Sequence, residues 1–235
     1  MTHFLAEFLG TLILILLGDG VVANVVLKNS KGENGGWMVI TTGWAFAVAV
    51  PVYIFAATSG AHFNPAVTVG LATAGLFPWA EVPAYLAAQF SGAFVGAILV
   101  WITYRLQYEE TTDKGAILGS FATIPAKRDN ISNLITEIIG TFLLVFAIMG
   151  AQASEIAPGV TPFVVGIIVW AIGLSLGGPT GYAINPARDL GPRIAHAVLP
   201  ITNKGDSQFG YAWIPVVGPL IGGILGALAY AALFV

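Results

Sequence analysis

Two short stretches, residues 59–70 and 180–191, decide most of what this chain can become. They carry Asn64-Pro65-Ala66 and Asn185-Pro186-Ala187 at an offset of 121 residues, with Gly60/Gly181 and Gly70/Gly191 in the same register. Asparagine is a favoured N-cap, and proline suits the first helical turn, where its missing N–H costs nothing, so each motif starts a helix at its Asn. Neither helix can be long. Phe77-Pro78 stops the first near Gly75. Its ~11 residues rise ~16 Å, about half of a ~30 Å hydrocarbon core. The second runs from Asn185 to about Val198. Each reads as a half-membrane helix that enters and leaves by one side.

The bilayer enters this argument through composition. Hydrophobic residues make up 57% of the chain and charged residues 9%, and mean hydropathy is +0.84. That exceeds a soluble domain's apolar share. Apolar segments at residues 4–26, 37–58, 79–104, 134–150, 162–176 and 211–234 predict six spans, and the charged stretch 107–132 predicts one long loop. The first segment reads as a retained span, since no Lys or Arg precedes it and Glu7 interrupts it. The net charge of -3 carries no basic run, which gives no footing for nucleic acid. With no cysteine, thiol chemistry and cysteine-ligated metals are excluded. Three histidines, with no carboxylate near His62, predict neither a metal site nor a cofactor.

Further matches make the chain a duplication. Glu7-Phe-Leu-Gly-Thr11 recurs as Glu137-Ile-Ile-Gly-Thr141, and the last span matches the third with Gly92/Gly218 and Gly96/Gly222 in register. The expected organisation is one domain of two repeats, about residues 4–105 and 134–234, joined by residues 106–133. Each repeat crosses the membrane three times, and an odd number inverts the second against the first. The expected fold class is therefore an all-α membrane protein with six transmembrane helices, two re-entrant half-helices and an inverted repeat.

Inversion brings the N-termini of both half-helices together near the midplane. Two positive dipole ends facing one another disfavour a cation, a hydrated proton included. The lead-ins must be non-helical, which is tolerated at that depth only against protein or water. The carbonyls of Gly60, Ala61, His62 and Phe63, and of Gly181, Ala183 and Ile184, are the expected acceptors along a wet path, with the Asn64 and Asn185 amides as central donors. Glu7 and Glu137 admit a proton-relay reading. The favoured one is structural: repeat-related acceptors that tie down backbone N–H groups of the lead-ins. Asp19 has no partner in the second repeat and reads as a vestibular residue at the wet end of its span. Arg188 is open between lining the path and pairing with Asp189.

The paired Asn-Pro-Ala motifs, the repeated glutamate and Arg188 resemble the aquaporin, or major intrinsic protein, family over nearly the whole chain. Asp189, Arg193 and Pro215-Val216 resemble its glycerol-facilitator branch. The resemblance implies a selectivity filter of Trp44, Gly173, Tyr182 and Arg188, with Gly173 leaving room for a carbon chain where water-only channels usually have histidine. Tyr182 departs from the phenylalanine usual in glycerol facilitators. One turn from Trp44 and Gly173, Val48 and Val169 continue an apolar wall.

What the resemblance implies is a passive channel for small uncharged solutes: glycerol and similar polyols, water, dihydroxyacetone, urea or protonated lactic acid, with ions and protons excluded. It also implies a homotetramer with a pore in each subunit, in a bacterial plasma membrane, with both termini cytoplasmic. Lys28, Lys31, Arg105, Lys114, Lys127, Arg128 and Lys204 would then sit on or near the outer side, against the positive-inside bias. Inverted repeats and broken helices also fit a secondary active transporter of a small polar solute. An enzyme is not expected, because no nucleophile and base or metal cluster is present.

Overall fold

The protein, described here by a computed structural model covering residues 1–157 and 159–235, contains helices and no strand among the described residues. Helix α1 (His3–Val26) starts where the Thr2 hydroxyl accepts the Leu5 N–H at 3.2 Å. Helix α2 (Trp37–Ser59) ends at Gly60, whose φ of +79° gives the left-handed C-cap that glycine adopts without penalty. The half-helix α3 (Pro65–Thr73) follows, then α4 (Val82–Thr103).

The stretch expected as one long loop is instead partly helical, with α5 (Arg105–Glu110) and α6 (Lys114–Gly119). Asp113 caps α6 by accepting the N–H groups of Gly115 and Ala116 at 2.8 and 3.1 Å. Ile117, Leu118 and Phe121 are buried beneath it, and Tyr108 and Ser120 share a hydrogen bond of 2.8 Å. The charges that suggested a loop lie on the exposed side of a small packed lid.

Helix α7 (Asn130–Ala153) begins at Asp129, which accepts the Ser132 N–H at 2.8 Å. That bond holds the Asp129 carboxyl below the usual carboxylate range. Helices α8 (Thr161–Leu176), α9 (Pro186–Val198), α10 (Phe209–Ala212) and α11 (Ile214–Phe234) complete the chain. Among the described residues five segments are long and apolar enough to span a bilayer, and α10 continues into α11 as one of them. The sixth, α8, has 16 residues. It rises ~24 Å, short of a ~30 Å core. Outward-facing Phe46, Ile54, Ile139 and Leu225 are exposed, as lipid contact requires. A short helix is accommodated by local thinning of the bilayer. Among the described residues the chain is thus a multi-pass membrane protein of five full-length spanning helices, the shorter α8 and two half-helices.

Close helix pairs are built on glycine. A Cβ on Gly92 of α4 would meet the Phe8 carbonyl oxygen of α1 at 2.3 Å, and one on Gly222 of α11 would meet the Ile138 carbonyl oxygen of α7 at 2.3 Å. Gly96 and Gly226 repeat the arrangement one turn on, against Leu12 O and Phe142 O at 2.7 and 2.5 Å. Since Phe8 corresponds to Ile138, Gly92 corresponds to Gly222 and not to Gly218. The expected register of the third and last spans was off by one helical turn, an error that small residues recurring every four positions invite.

The half-helices are exchanged between repeats. Gly70 of α3 lies against the Gly223 backbone of α11, where a Cβ would meet its carbonyl oxygen at 2.7 Å, and Gly191 of α9 lies against Ala93 of α4, with its Cβ at the same 2.7 Å. Each repeat thus supplies the wall on which the other's half-helix rests, and neither half closes alone.

Candidate functional site

The two lead-ins share one backbone conformation. Gly60, Ala61 and Phe63 have φ of +79°, +54° and +50°, and Gly181, Tyr182 and Ile184 at the corresponding places have +83°, +40° and +42°. Asn64 and Asn185 then return to extended backbone. Left-handed conformations at the four non-glycine residues cost about 1–3 kcal/mol each and persist only where their surroundings enforce them. Glu7 provides that enforcement on one side. Its Oε1 accepts from Ser59 Oγ (2.7 Å) and His62 N (3.0 Å), and its Oε2 from Phe63 N (2.7 Å) and Gln89 Nε2 (2.8 Å). On the other side Glu137 accepts Ala183 N at 3.1 Å and Ile184 N at 2.9 Å. Both carboxylates are buried, and charge-assisted bonds to backbone are the kind that offsets such burial.

The motifs meet through reciprocal bonds. Asn64 Oδ1 accepts the Ala66 N–H at 2.9 Å as an N-cap, while its Nδ2 donates to Ile184 O of the opposite lead-in at 2.8 Å. Asn185 Oδ1 accepts from Ala187 N and Arg188 N at 3.0 and 3.2 Å, and its Nδ2 donates to Phe63 O at 2.9 Å. Each amide keeps a second N–H, and each of those carbonyls a second lone pair.

Along this seam runs a cavity of about 150 Å³. Its apolar lining includes Leu14, Val48, Val52 and Val169 from α1, α2 and α8, and its polar lining includes Asn64, Asn185 and Arg188. Gly60, Ala61, His62, Phe63, Ala183 and Ile184 border it, as do Trp44 and Tyr182, while Gln152 and Thr161 mark its far end. Pro65, Ala66, Pro186 and Ala187 are buried in the half-helix turns and do not border it. Gly181 does not border it either: it packs beside Thr123.

Gly173 also departs from expectation. A Cβ there would meet Tyr182 Cζ at 2.8 Å and its hydroxyl at 3.0 Å, so the space freed by the missing side chain is filled by the phenol ring and not left to a solute. Trp37 braces this corner, donating from Nε1 to Gly173 O at 3.0 Å and meeting Tyr182 edge to face at 5.8 Å. The Tyr182 hydroxyl has no hydrogen-bond partner among the described residues.

Arg188 pairs with a carboxylate from another helix. Its Nη1 donates to Asp19 Oδ1 at 3.0 Å and to Phe121 O at 3.2 Å, and its guanidinium carbon lies 4.1 Å from the Trp44 ring centroid. Asp189 pairs instead with Arg193, at 2.8 and 2.9 Å, and also accepts from Thr123 N and Oγ1. Asp19 is accordingly not vestibular but fully buried. Beside it, a Cβ on Gly18 would lie 2.3 Å from the Trp44 indole. Gly18-Asp19 therefore positions two cavity-lining groups at once, making room for Trp44 and gripping Arg188. Sequence reasoning missed this pairing, although the mismatch of Asp19 with its repeat counterpart Met149 marked the place. His62 Nδ1 lies 3.0 Å from Thr68 Oγ1, and the ring packs on Phe77 and Tyr85. No metal-binding group of His, Asp and Glu occurs among the described residues.

A family model described as Major intrinsic protein matches residues 1–230. The chain belongs to the major intrinsic protein family. Within that family it is 61% identical over 234 residues, covering 100% of both chains, to a probable glycerol uptake facilitator protein of Thermotoga maritima. It is 40% identical over 232 residues, covering 97% of this chain and 96% of the other, to a D/L-lactic acid transporter of Lactiplantibacillus plantarum. The crystal structure of the aquaglyceroporin from Plasmodium falciparum superposes with a TM-score of 0.87 at 30% identity, covering 98% of this chain and 95% of that one. The fold of this major intrinsic protein is the aquaporin fold.

Proposed function

We propose that the central cavity is the path of a passive channel, through which glycerol and other small neutral hydroxylated solutes move down their gradients. The observation that carries this reading is the two-sided lining. Apolar side chains from α1, α2 and α8 face the same narrow space as Asn64, Asn185, Arg188 and the lead-in carbonyls. A polyol can lay its CH groups on Val48 and Val169 while its hydroxyls trade partners along the polar line, so no step requires full desolvation without replacement.

In this reading Trp44, Tyr182 and Arg188 form the filter, and Gly173 acts on it through Tyr182. Among the described residues Arg188 commits only Nη1 to protein, which leaves Nε and Nη2 as donors for a solute. Paired half-helix dipoles at Asn64 and Asn185 exclude cations, protons included. Glu7 and Glu137 hold the lead-ins and do not serve as a proton relay. Similarity to a probable glycerol uptake facilitator and to a D/L-lactic acid transporter supports glycerol and lactic acid as solutes.

We place the channel in a bacterial cytoplasmic membrane as a homotetramer with one pore per subunit and no bound cofactor. It forms one domain whose repeats span about residues 4–105 and 134–234. Stopped-flow light scattering on proteoliposomes tests the function. Glycerol flux should exceed that of empty lipid, rise linearly with gradient and show a low activation energy. Saturating uptake driven by an ion gradient would instead make it a secondary transporter. Light scattering of the purified protein in detergent tests the tetramer.

A further inference from the structure

The two arginines of α9 each have their own carboxylate, but the two pairs are built differently. Asp189 spends both oxygens, on Arg193, Thr123 N and Thr123 Oγ1. Glu7 and Glu137 likewise use both oxygens. Asp19 makes a single hydrogen bond, through Oδ1 to Arg188, and its buried Oδ2 has no partner among the described residues. A carboxylate buried at 0% exposure for one bond is a poor structural clamp, and what it supplies to its surroundings is negative charge. Its cation is the one arginine whose side chain borders the cavity.

The free edge of that arginine matters. Nε and Nη2 together form the fork that binds a carboxylate through two parallel bonds. An uncompensated Arg188 would present this fork to any small carboxylate that entered the cavity. We infer that Asp19 sets the net charge of the constriction to zero and thereby keeps carboxylate anions from lodging against Arg188. Asp19 is thus a specificity-determining residue that acts through Arg188, and a carboxylic acid passes only in neutral form. Both charges belong to the unshared half of the duplication: the repeat counterpart of Arg188 is Val67 and that of Asp19 is Met149.

This inference rests on the channel reading of the cavity. The test is glycerol flux into proteoliposomes at neutral pH with and without excess sodium formate, whose anion fits the fork. Wild-type flux should be indifferent to formate. Asp19→Asn keeps the shape and an acceptor for Nη1 but removes the charge, and its flux should fall about fivefold or more in formate, recovering on washout. Adding Arg188→Gln to Asp19→Asn should abolish the sensitivity. Formate-insensitive Asp19→Asn, equally inhibited wild type, or inhibition that survives loss of Arg188 overturns the inference. If Asp19→Asn does not fold, Asp19→Ser takes its place in the same comparison. A wild type no more permeable than empty lipid would sink the channel reading instead. Formate binding to wild type and Asp19→Asn, followed by carbon-13 line broadening, then still decides the role of Asp19: broadening in the variant alone supports it, and equal behaviour overturns it.

Discussion

Asn64 donates from Nδ2 to the carbonyl of Ile184 at 2.8 Å, across 120 residues of sequence, and Asn185 returns the bond to Phe63 at 2.9 Å. Each asparagine caps its own half-helix and also fixes the strained lead-in of the other. The midplane is one mutual brace, and its two halves cannot be positioned independently.

Replacing either asparagine with alanine should therefore cost more than a cap. Loss of the N-cap costs about 1 kcal/mol, and a buried carbonyl left short of a partner adds about 1–3 kcal/mol. The double variant should lose less than the sum, because both bonds belong to one frame. Thermal unfolding in detergent reads this out, and unchanged midpoints for both single variants would show that the brace is idle.

Glu137→Gln keeps size and removes charge. An amide can offer only one oxygen where Ala183 N and Ile184 N now take one each, so its NH2 must face an N–H. A loss of about 2–4 kcal/mol follows from one unmet buried donor and one opposed donor pair. Glu7→Gln, with four bonds to redistribute, should be hit at least as hard. Whatever Glu7→Gln protein survives should conduct glycerol without coupling to a pH gradient. Coupled uptake would revive the proton-relay reading.

How much of this could be read beforehand depended on whether a residue was repeated. The half-helices, the lead-ins and the acceptors Glu7 and Glu137 all appear twice, and a duplicated signal can be placed by symmetry. Asp19, Gly18 and the lid residue Phe121 appear once, and nothing in spacing says that α1 reaches α9 or that the 107–132 segment folds over both. Gly173 shows another limit. A missing side chain signals space but not its occupant, and Tyr182 is brought there by the tertiary fold. The one-turn slip between Gly218 and Gly222 has the same origin, since only the facing carbonyl of α7 fixes the register.

Tyr182→Phe should leave stability within about 0.5 kcal/mol of wild type, because the hydroxyl has no partner to lose among the described residues. Removing an oxygen from a constriction already filled by the ring should raise glycerol permeability about threefold, or ~0.7 kcal/mol off the barrier. Lower glycerol permeability would instead make the hydroxyl a necessary partner for the solute. Stopped-flow measurements on the two proteins decide between these outcomes.

Gly18 and Gly20 offer a paired control on the same helix. A Cβ at Gly18 would sit 2.3–2.5 Å from three atoms of the Trp44 indole, whereas one at Gly20 meets nothing within 4 Å. Gly18→Ala must push the indole away, and since Arg188 lies 4.1 Å from that ring, the guanidinium loses its cation–π contact with it. Overpacking of this kind costs about 1–3 kcal/mol. Glycerol permeability should fall about tenfold, equivalent to ~1.4 kcal/mol on the barrier. Gly20→Ala adds helix propensity in open space, so it should be neutral or stabilising by about 0.5–1 kcal/mol with unchanged flux. Equal flux in the two variants would mean that the placement of Trp44 by α1 does not govern passage.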